Sequence, residues 1–202
     1  MIKNFIFDMG NVLMYFKPDV FIDRYDLNTD DKNLLNDVIF KSGYWAYLDD
    51  GSMNEQELCE MLKPKLPKRL HDTMEGLIKD WDKPLIEVTG MYEIIDSLKA
   101  NGYKIYLLSN ASSRQHEYWD RISCSKFFDG TLISADVKMV KPNPQIYTAL
   151  FDKFDLRAEE CFFVDDSPQN ILAGKELGMD GYIFDDDIDD LKKAINPICP
   201  II

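Results

Sequence analysis

The stretch Lys3-Asn-Phe-Ile-Phe-Asp-Met-Gly-Asn-Val-Leu13 constrains the chain more than any other. A short apolar run, rich in Phe and Ile, ends abruptly in one carboxylate, Asp8. Gly10 and Asn11 follow at once, residue types that let a chain turn away from a strand end. Such a run suits a strand buried on both faces of a parallel sheet. In those sheets ligands gather outside the carboxyl ends of the strands, where Asp8 stands. An Asp that only caps the following turn would leave the same trace, so the weight falls on what else the chain brings to that edge.

From Pro18 to about Trp81 only helical spacing is found. Val20, Phe21 and Tyr25 make one apolar face, Leu34, Leu35, Val38 and Ile39 a second. Leu58, Met61 and Leu62 make a third, which Ser52-Met-Asn-Glu55 introduces in the manner of a capping box. Leu70, Met74, Leu77 and Ile78 make a fourth. Residues 16–87 therefore read as a helical insertion. Its aromatics Tyr44, Trp45 and Tyr47 are packing residues, or line a cleft between insertion and sheet.

From Gly90 strands and helices alternate. A helix carrying Met91, Ile94, Ile95 and Leu98 stops at Asn101-Gly102. A strand Tyr103–Leu108 ends in Ser109-Asn110, and a helix is expected over Ser113–Ile122. A short strand Thr131–Ile133 comes next, and Lys141-Pro142 opens a helix with Pro142 near its first turn. A strand Cys161–Val164 ends in Asp165-Asp166 and leads into a helix through Ile171 and Leu177 to Gly178. A strand Gly181–Phe184 and a helix near Asp189–Ile195 close the pattern, with Asp185–Asp190 as a solvated turn. Alternation of this kind implies right-handed crossovers and a parallel sheet covered on both faces. The expected architecture is α/β: a Rossmann-like core from residues 1–15 and 88–202, interrupted by the helical insertion at 16–87.

Composition sets the remaining bounds. With 46% hydrophobic and 29% charged residues in 202, the chain has the makeup of a globular protein. Its formal net charge of −13 disfavours nucleic acid and anionic membranes as partners. No apolar run approaches the roughly 20 residues that span a bilayer. Cys59, Cys124, Cys161 and Cys199 have no paired spacing and read as small buried hydrophobes, which suits a reducing, cytoplasmic setting. Nothing in the chain separates monomer from homodimer.

Three apolar strands thus end in polar groups, at Asp8, at Ser109-Asn110 and at Asp165-Asp166, and Lys141 stands at a helix start between the second and third. In a parallel sheet they converge on one edge. Carboxylates there suit a hard cation with oxygen ligands, Mg²⁺ above all. A hydroxyl, an amide and an ammonium beside them are donors for an anion such as phosphate.

That order of residues resembles the haloacid dehalogenase superfamily, whose members are mostly Mg²⁺-dependent phosphatases. The four motifs of the family match Asp8, Ser109 in Leu-Leu-Ser-Asn-Ala, Lys141 in Val-Lys-Pro-Asn-Pro, and Val164-Asp-Asp-Ser-Pro-Gln-Asn170. The insertion resembles the family's first type of helical cap, a lid expected to open and close. The resemblance implies an aspartyl-phosphate on Asp8. It implies Mg²⁺ held by Asp8, the Gly10 carbonyl and Asp166, with Asp166 ranked above Asp165 and Asn170 reaching the ion through water. It further implies Ser109, the Asn110 backbone N–H and Lys141 around the phosphoryl oxygens, and Asn11 oriented toward a water or substrate oxygen.

The chain departs from the pattern at Gly10, where the family's phosphatases carry a second Asp as general acid and base. General acid catalysis typically contributes about 10²–10⁴-fold. The Asp-x-Gly-Asn-Val form resembles a bacterial branch that includes an α-D-glucose-1-phosphate phosphatase, and hexose 1-phosphates leave with a less basic oxygen. The expected function is a phosphatase acting on a small phosphorylated metabolite of this kind. A non-catalytic binding or regulatory protein is the alternative that Gly10 raises, and a metal-free dehalogenase fits the acidic pair least. His116 and Lys138 read as surface residues, and His71 as a solvated one.

Overall fold

The computed structural model describes residues 1–200. The first strand, β1 (Asn4–Phe7), is buried at all four positions. Its side chains alternate between two apolar clusters: Phe5 and Phe7 enter one, Ile6 the other. That alternation is the period of a strand covered on both faces.

Helices alone follow: α1 (Pro18–Ile22), α2 (Thr29–Leu35), α3 (Ala46–Asp49), α4 (Glu55–Leu62) and α5 (His71–Asp80). A wide turn of helix over Asn36–Phe40 continues α2. The start of α4 corrects the expected capping box. Its cap is Asn54, whose side chain accepts from the Glu57 N–H while the Glu57 carboxylate accepts from the Asn54 N–H. The same Ser/Asn-x-x-Glu logic applies two residues further on than Ser52 suggested. The two ends of this insert run side by side, with Tyr15 N–H donating to the Ile86 carbonyl at 2.9 Å and Val88 N–H to that of Leu13 at 3.0 Å.

The remaining elements are α6 (Met91–Ala100), β2 (Lys104–Ser109), α7 (Gln115–Tyr118), β3 (Gly130–Ile133), α8 (Ser134–Val137), α9 (Pro144–Phe154), β4 (Cys161–Asp165), α10 (Pro168–Glu176), β5 (Asp180–Ile183) and α11 (Ile188–Ile195). Two of these correct the expectations. The helix placed over 113–122 is only α7 followed by a tight turn over Trp119–Arg121. The helix placed at Lys141-Pro142 starts at Pro144, capped by Asn143, and Pro142 lies in the turn before it after a cis peptide bond.

All strand pairs are parallel, and among the described residues the sheet order is β3-β2-β1-β4-β5. Helices α6 and α11 bury Met91, Ile94, Ile95, Leu98, Leu191 and Ile195 against one face. Helices α9 and α10 bury Ile146, Tyr147, Leu150 and Ile171 against the other. The insert shares the first of these clusters through residues such as Phe21, Leu35, Leu58 and Leu77. From β1 the chain passes outward to β2 and β3, then returns to the opposite side for β4. The carboxyl ends of β1 and β4 therefore flank the point where the strand order reverses, the crevice in which open α/β sheets bind ligands.

Candidate active site

Register places the acidic residues together. Phe7 pairs with Val164 and the Asp8 N–H donates to the Val164 carbonyl at 2.9 Å, so Asp8 and Asp165 emerge side by side. Phe7 also pairs with Leu107, which sets Ser109 at the same edge, almost wholly buried. Beyond Asp8 the chain doubles back at once: the Leu13 and Met14 N–H groups donate to the Met9 carbonyl. Asn11 sits in the left-handed region with φ 56°, a conformation its short amide tolerates. Its amide donates to Asp166 Oδ2 at 3.0 Å and accepts from the Phe16 N–H.

Lys141 is the positive centre of the group. Its ammonium donates to Asp165 Oδ2 at 2.7 Å and to the Leu108 carbonyl at 2.8 Å, and lies 2.8 Å from Asp8 Oδ1. Burial works against its charge, but Asp8 and Asp165 outweigh burial and raise its pKa. The Asn110 side chain holds the lysine backbone from both sides, donating to its carbonyl and accepting from its N–H. The family resemblance implies Lys141 near a phosphoryl oxygen and Asn170 near a metal-bound water; in this structure the lysine pairs with two carboxylates, and the Asn170 amide donates to both oxygens of Asp165 at 2.9 and 3.1 Å. Asp165, fully buried, also accepts from the Ser167 N–H. Its lone pairs are thus largely spent within the protein, whereas Asp166 faces the cavity.

Asp8 is pushed up to about 7, first by burial and then by Asp165, with Lys141 opposing both. Its contact with Lys141 is an ion pair lacking the angles of a hydrogen bond, and Oδ1 has no hydrogen-bond donor. Asp8, Asp165 and Asp166 can each offer one oxygen such that the three lie within 4.8 Å of one another. A buried anionic oxygen without a donor beside two further carboxylates fits a hard divalent cation.

Above the edge lies a cavity of about 200 Å³. Asp8, Gly10, Asn11, Asn110 and Asp166 form its floor, and Phe16, Trp45, Trp81 and Tyr118 its walls. The aromatics pack on one another, with ring centroids 5.4 Å apart for Phe16 and Trp45, 5.1 Å for Phe16 and Trp81, and 5.4 Å for Trp81 and Tyr118. Of the insert aromatics singled out by sequence, Trp45 lines this cavity and Tyr44 and Tyr47 do not.

Several lining residues carry no mark in the sequence, Phe16, Trp81 and Tyr118 among them, and a further one is a carboxylate. Asp49, at the end of α3, faces the cavity from the insert, and burial followed by the charge of Asp8 lifts its carboxyl to about 7. In the sequence it sits in Asp49-Asp50-Gly51-Ser52, indistinguishable from a polar turn. The histidines lie elsewhere. Exposed His116 pairs with Asp136, while His71 is half-buried, its Nε2 between the Lys63 and Leu66 carbonyls, rather than solvated as expected.

Comparison with known proteins turns this geometry into a kinship. The sequence profile of haloacid dehalogenase-like hydrolases matches residues 2–178. The chain belongs to that hydrolase family. It is 25% identical over 154 residues to flavin mononucleotide hydrolase 1 of Arabidopsis thaliana, spanning 76% of this chain and 61% of that protein. It is 26% identical over 201 residues to the D-ribitol-5-phosphate phosphatase of Bacteroides thetaiotaomicron, spanning 90% of this chain and 91% of that one. Its fold superposes on a wild-type HAD family enzyme of the same bacterium, solved with magnesium and inorganic phosphate. That match has a TM-score of 0.69 at 24% identity, covering 90% of this chain and 93% of the other.

Proposed function

We propose that this hydrolase is a Mg²⁺-dependent phosphatase acting on a small sugar phosphate such as a hexose 1-phosphate, with Asp8 as nucleophile. The observation that carries the reading is the buried Asp8–Lys141–Asp165 group at the switch point of the sheet, opening with Asp166 onto one cavity. The phosphatase and flavin-phosphate hydrolase among the relatives support the reaction class. A cavity of about 200 Å³ is smaller than the roughly 300–1,000 Å³ usual for drug-sized ligands, which favours a compact organic group. Trp45, Phe16 and Trp81 offer the flat apolar walls on which a sugar ring packs.

In this reading residues 16–87 act as a cap over a core formed by 1–15 and 88–202. An Asp8 carboxylate oxygen attacks phosphorus, the ester oxygen departs, and water then hydrolyses the aspartyl-phosphate. Ser109 and the Asn110 N–H hold phosphoryl oxygens, and Asn11 orients a substrate or water oxygen. Lys141 holds Asp8 in place and offsets charge that gathers on the phosphoryl group. Asp8, Asp166 and the Gly10 carbonyl would hold Mg²⁺, which when bound neutralises negative charge developing on the phosphoryl oxygens. The four cysteines are buried free thiols, which agrees with a reducing, cytoplasmic setting.

Phosphate release from a panel of sugar phosphates, with and without Mg²⁺, tests the reading. Release that needs Mg²⁺ and vanishes in Asp8→Asn is expected. Binding of the same compounds without turnover would replace the enzyme with a binding protein.

A further inference from the structure

A basic ester oxygen leaving phosphorus needs a proton, and the cavity offers few groups able to give one. Its titratable lining residues are Asp8, Asp49, Asp166 and Tyr118. Asp8 faces phosphorus as the nucleophile, and Asp166 is tied to Asn11 on the floor. Tyr118 is buried, and its pKa is pushed far above the ordinary phenol range, first by burial and then by Asp82 and Asp49. Position 10 brings no side chain, and a Cβ placed there would meet nothing within 4 Å.

Asp49 differs from all of these. It comes from the insert, across the cavity from the sheet edge that carries Asp8. Its carboxylate has no hydrogen-bond or ion-pair partner among the described residues, while its backbone carbonyl accepts from Ser134 Oγ and fixes the end of α3 against the core. Gly51 holds the same junction at φ +67°, so close to the Ala135 carbonyl that a Cβ would lie 2.6 Å from it. The carboxyl is thus unpartnered on an anchored backbone. Desolvation favours its protonated form.

We propose that Asp49 is the general acid and base of this site, delivered by the insert in place of any side chain at Gly10. The inference rests on the phosphatase reading. As the bond from an Asp8 oxygen to phosphorus forms and the ester P–O bond breaks, the Asp49 proton passes to the departing oxygen and releases an alcohol. The resulting Asp49 carboxylate then takes a proton from water as the water oxygen attacks phosphorus. That attack breaks the P–O bond to Asp8, frees phosphate and restores both carboxyl groups to their starting states.

The test compares Asp49→Asn with the unmodified protein on two phosphates in the presence of Mg²⁺. One is an alkyl ester, glucose 6-phosphate, and the other an aryl ester with a good leaving group, p-nitrophenyl phosphate. Because Asn keeps the shape and Asp49 makes no side-chain hydrogen bond, folding is expected to survive. The expected result is a fall in kcat of about 10²–10⁴ on the alkyl ester, a far smaller fall on the aryl ester, and recovery of alkyl-ester turnover when Gly10→Asp is added to Asp49→Asn. Equal losses on both esters, or undiminished alkyl-ester turnover, would overturn the role of Asp49 while leaving the phosphatase reading intact. If the unmodified protein hydrolyses neither these esters nor a hexose 1-phosphate, both readings fall together.

Discussion

Asp8 carries a measurable cost in the folded state. Burial lifts its pKa from 3.8 to about 7 even with Lys141 beside it. The sign follows from linkage. Below 3.8 both folded and unfolded chains hold the proton and the group is silent. Between 3.8 and about 7 the unfolded chain releases it while the folded chain keeps it, so stability falls as pH rises. Above about 7 the penalty is complete. Three units at about 1.4 kcal/mol each give roughly 4 kcal/mol as an upper bound. Asp8→Asn removes the ionisation while keeping an oxygen for Lys141, so at pH 8 without metal the variant should be more stable than the parent by up to that amount. Urea unfolding in EDTA measures it: with an m value of about 2–3 kcal/mol/M, the midpoint should rise by about 1–2 M at unchanged m. At pH 4 the two proteins should unfold nearly together. A variant no more stable at pH 8, or equally advantaged at both pH values, refutes the reasoning.

Other consequences are as direct. Mg²⁺ at a hundred times its dissociation constant should stabilise the parent by about 2.7 kcal/mol and Asp8→Asn much less, read as a shift in Tm, and EDTA should abolish phosphate release. Asp82, almost fully buried, accepts from Arg114 Nε at 3.0 Å and Arg121 Nη1 at 2.6 Å; Asp82→Ala should cost roughly 2–3 kcal/mol in urea unfolding through loss of charged hydrogen bonds. Gly51→Ala meets a left-handed backbone and the Ala135 carbonyl together, and should lower stability by about 1–3 kcal/mol with a parallel loss of turnover. Trp45→Ala removes a wall of the cavity, and should raise KM for a hexose phosphate by about tenfold, the worth of one aromatic contact, with little change for acetyl phosphate.

The centre of the sheet was legible because β1, β2 and β4 are short apolar runs that stop at a polar residue. The pattern Phe5-Ile-Phe7 to Asp8 and Phe162-Phe-Val164 to Asp165 needs no tertiary information to interpret. Helix boundaries were less so. Asn54 rather than Ser52 caps α4, because both offer a side-chain oxygen and only the position of Glu57 decides between them. Sequence also gathered Asp8, Ser109, Lys141 and Asp166 at one edge, where the structure places them. It did not foresee that Lys141 would be spent on Asp8 and Asp165, since a lysine in the turn before a helix looks the same whether it meets an anion of the protein or of a ligand. Asp49 was invisible for a different reason. Its significance comes from the packing of α3 on Ser134 and Ala135, some 85 residues away, and no local pattern encodes that approach.

Electrostatics ties the separate features of the site together. Asp8, Asp49, Asp165 and Asp166 set four carboxyl groups around one cavity and its floor, with Lys141 the buried ammonium among them. Fully ionised, that set would repel a phosphate monoester and strain the fold. The rise of Asp8 and Asp49 to about 7 is the response of the metal-free protein, which keeps protons where charge is least tolerable. In the proposed reading Asp8 and Asp166 would share a divalent cation in place of the proton on Asp8, so metal uptake near neutral pH would release protons and tighten as pH rises. One dication together with the single proton kept by Asp49 brings the four carboxyls and Lys141 to neutrality. The state ready to receive a phosphate dianion would then be the one in which Asp8 is an ionised nucleophile and Asp49 still holds a proton to give. In that reading the proton that eases the crowding of carboxylates is the same proton on Asp49 that departure of the ester oxygen would use.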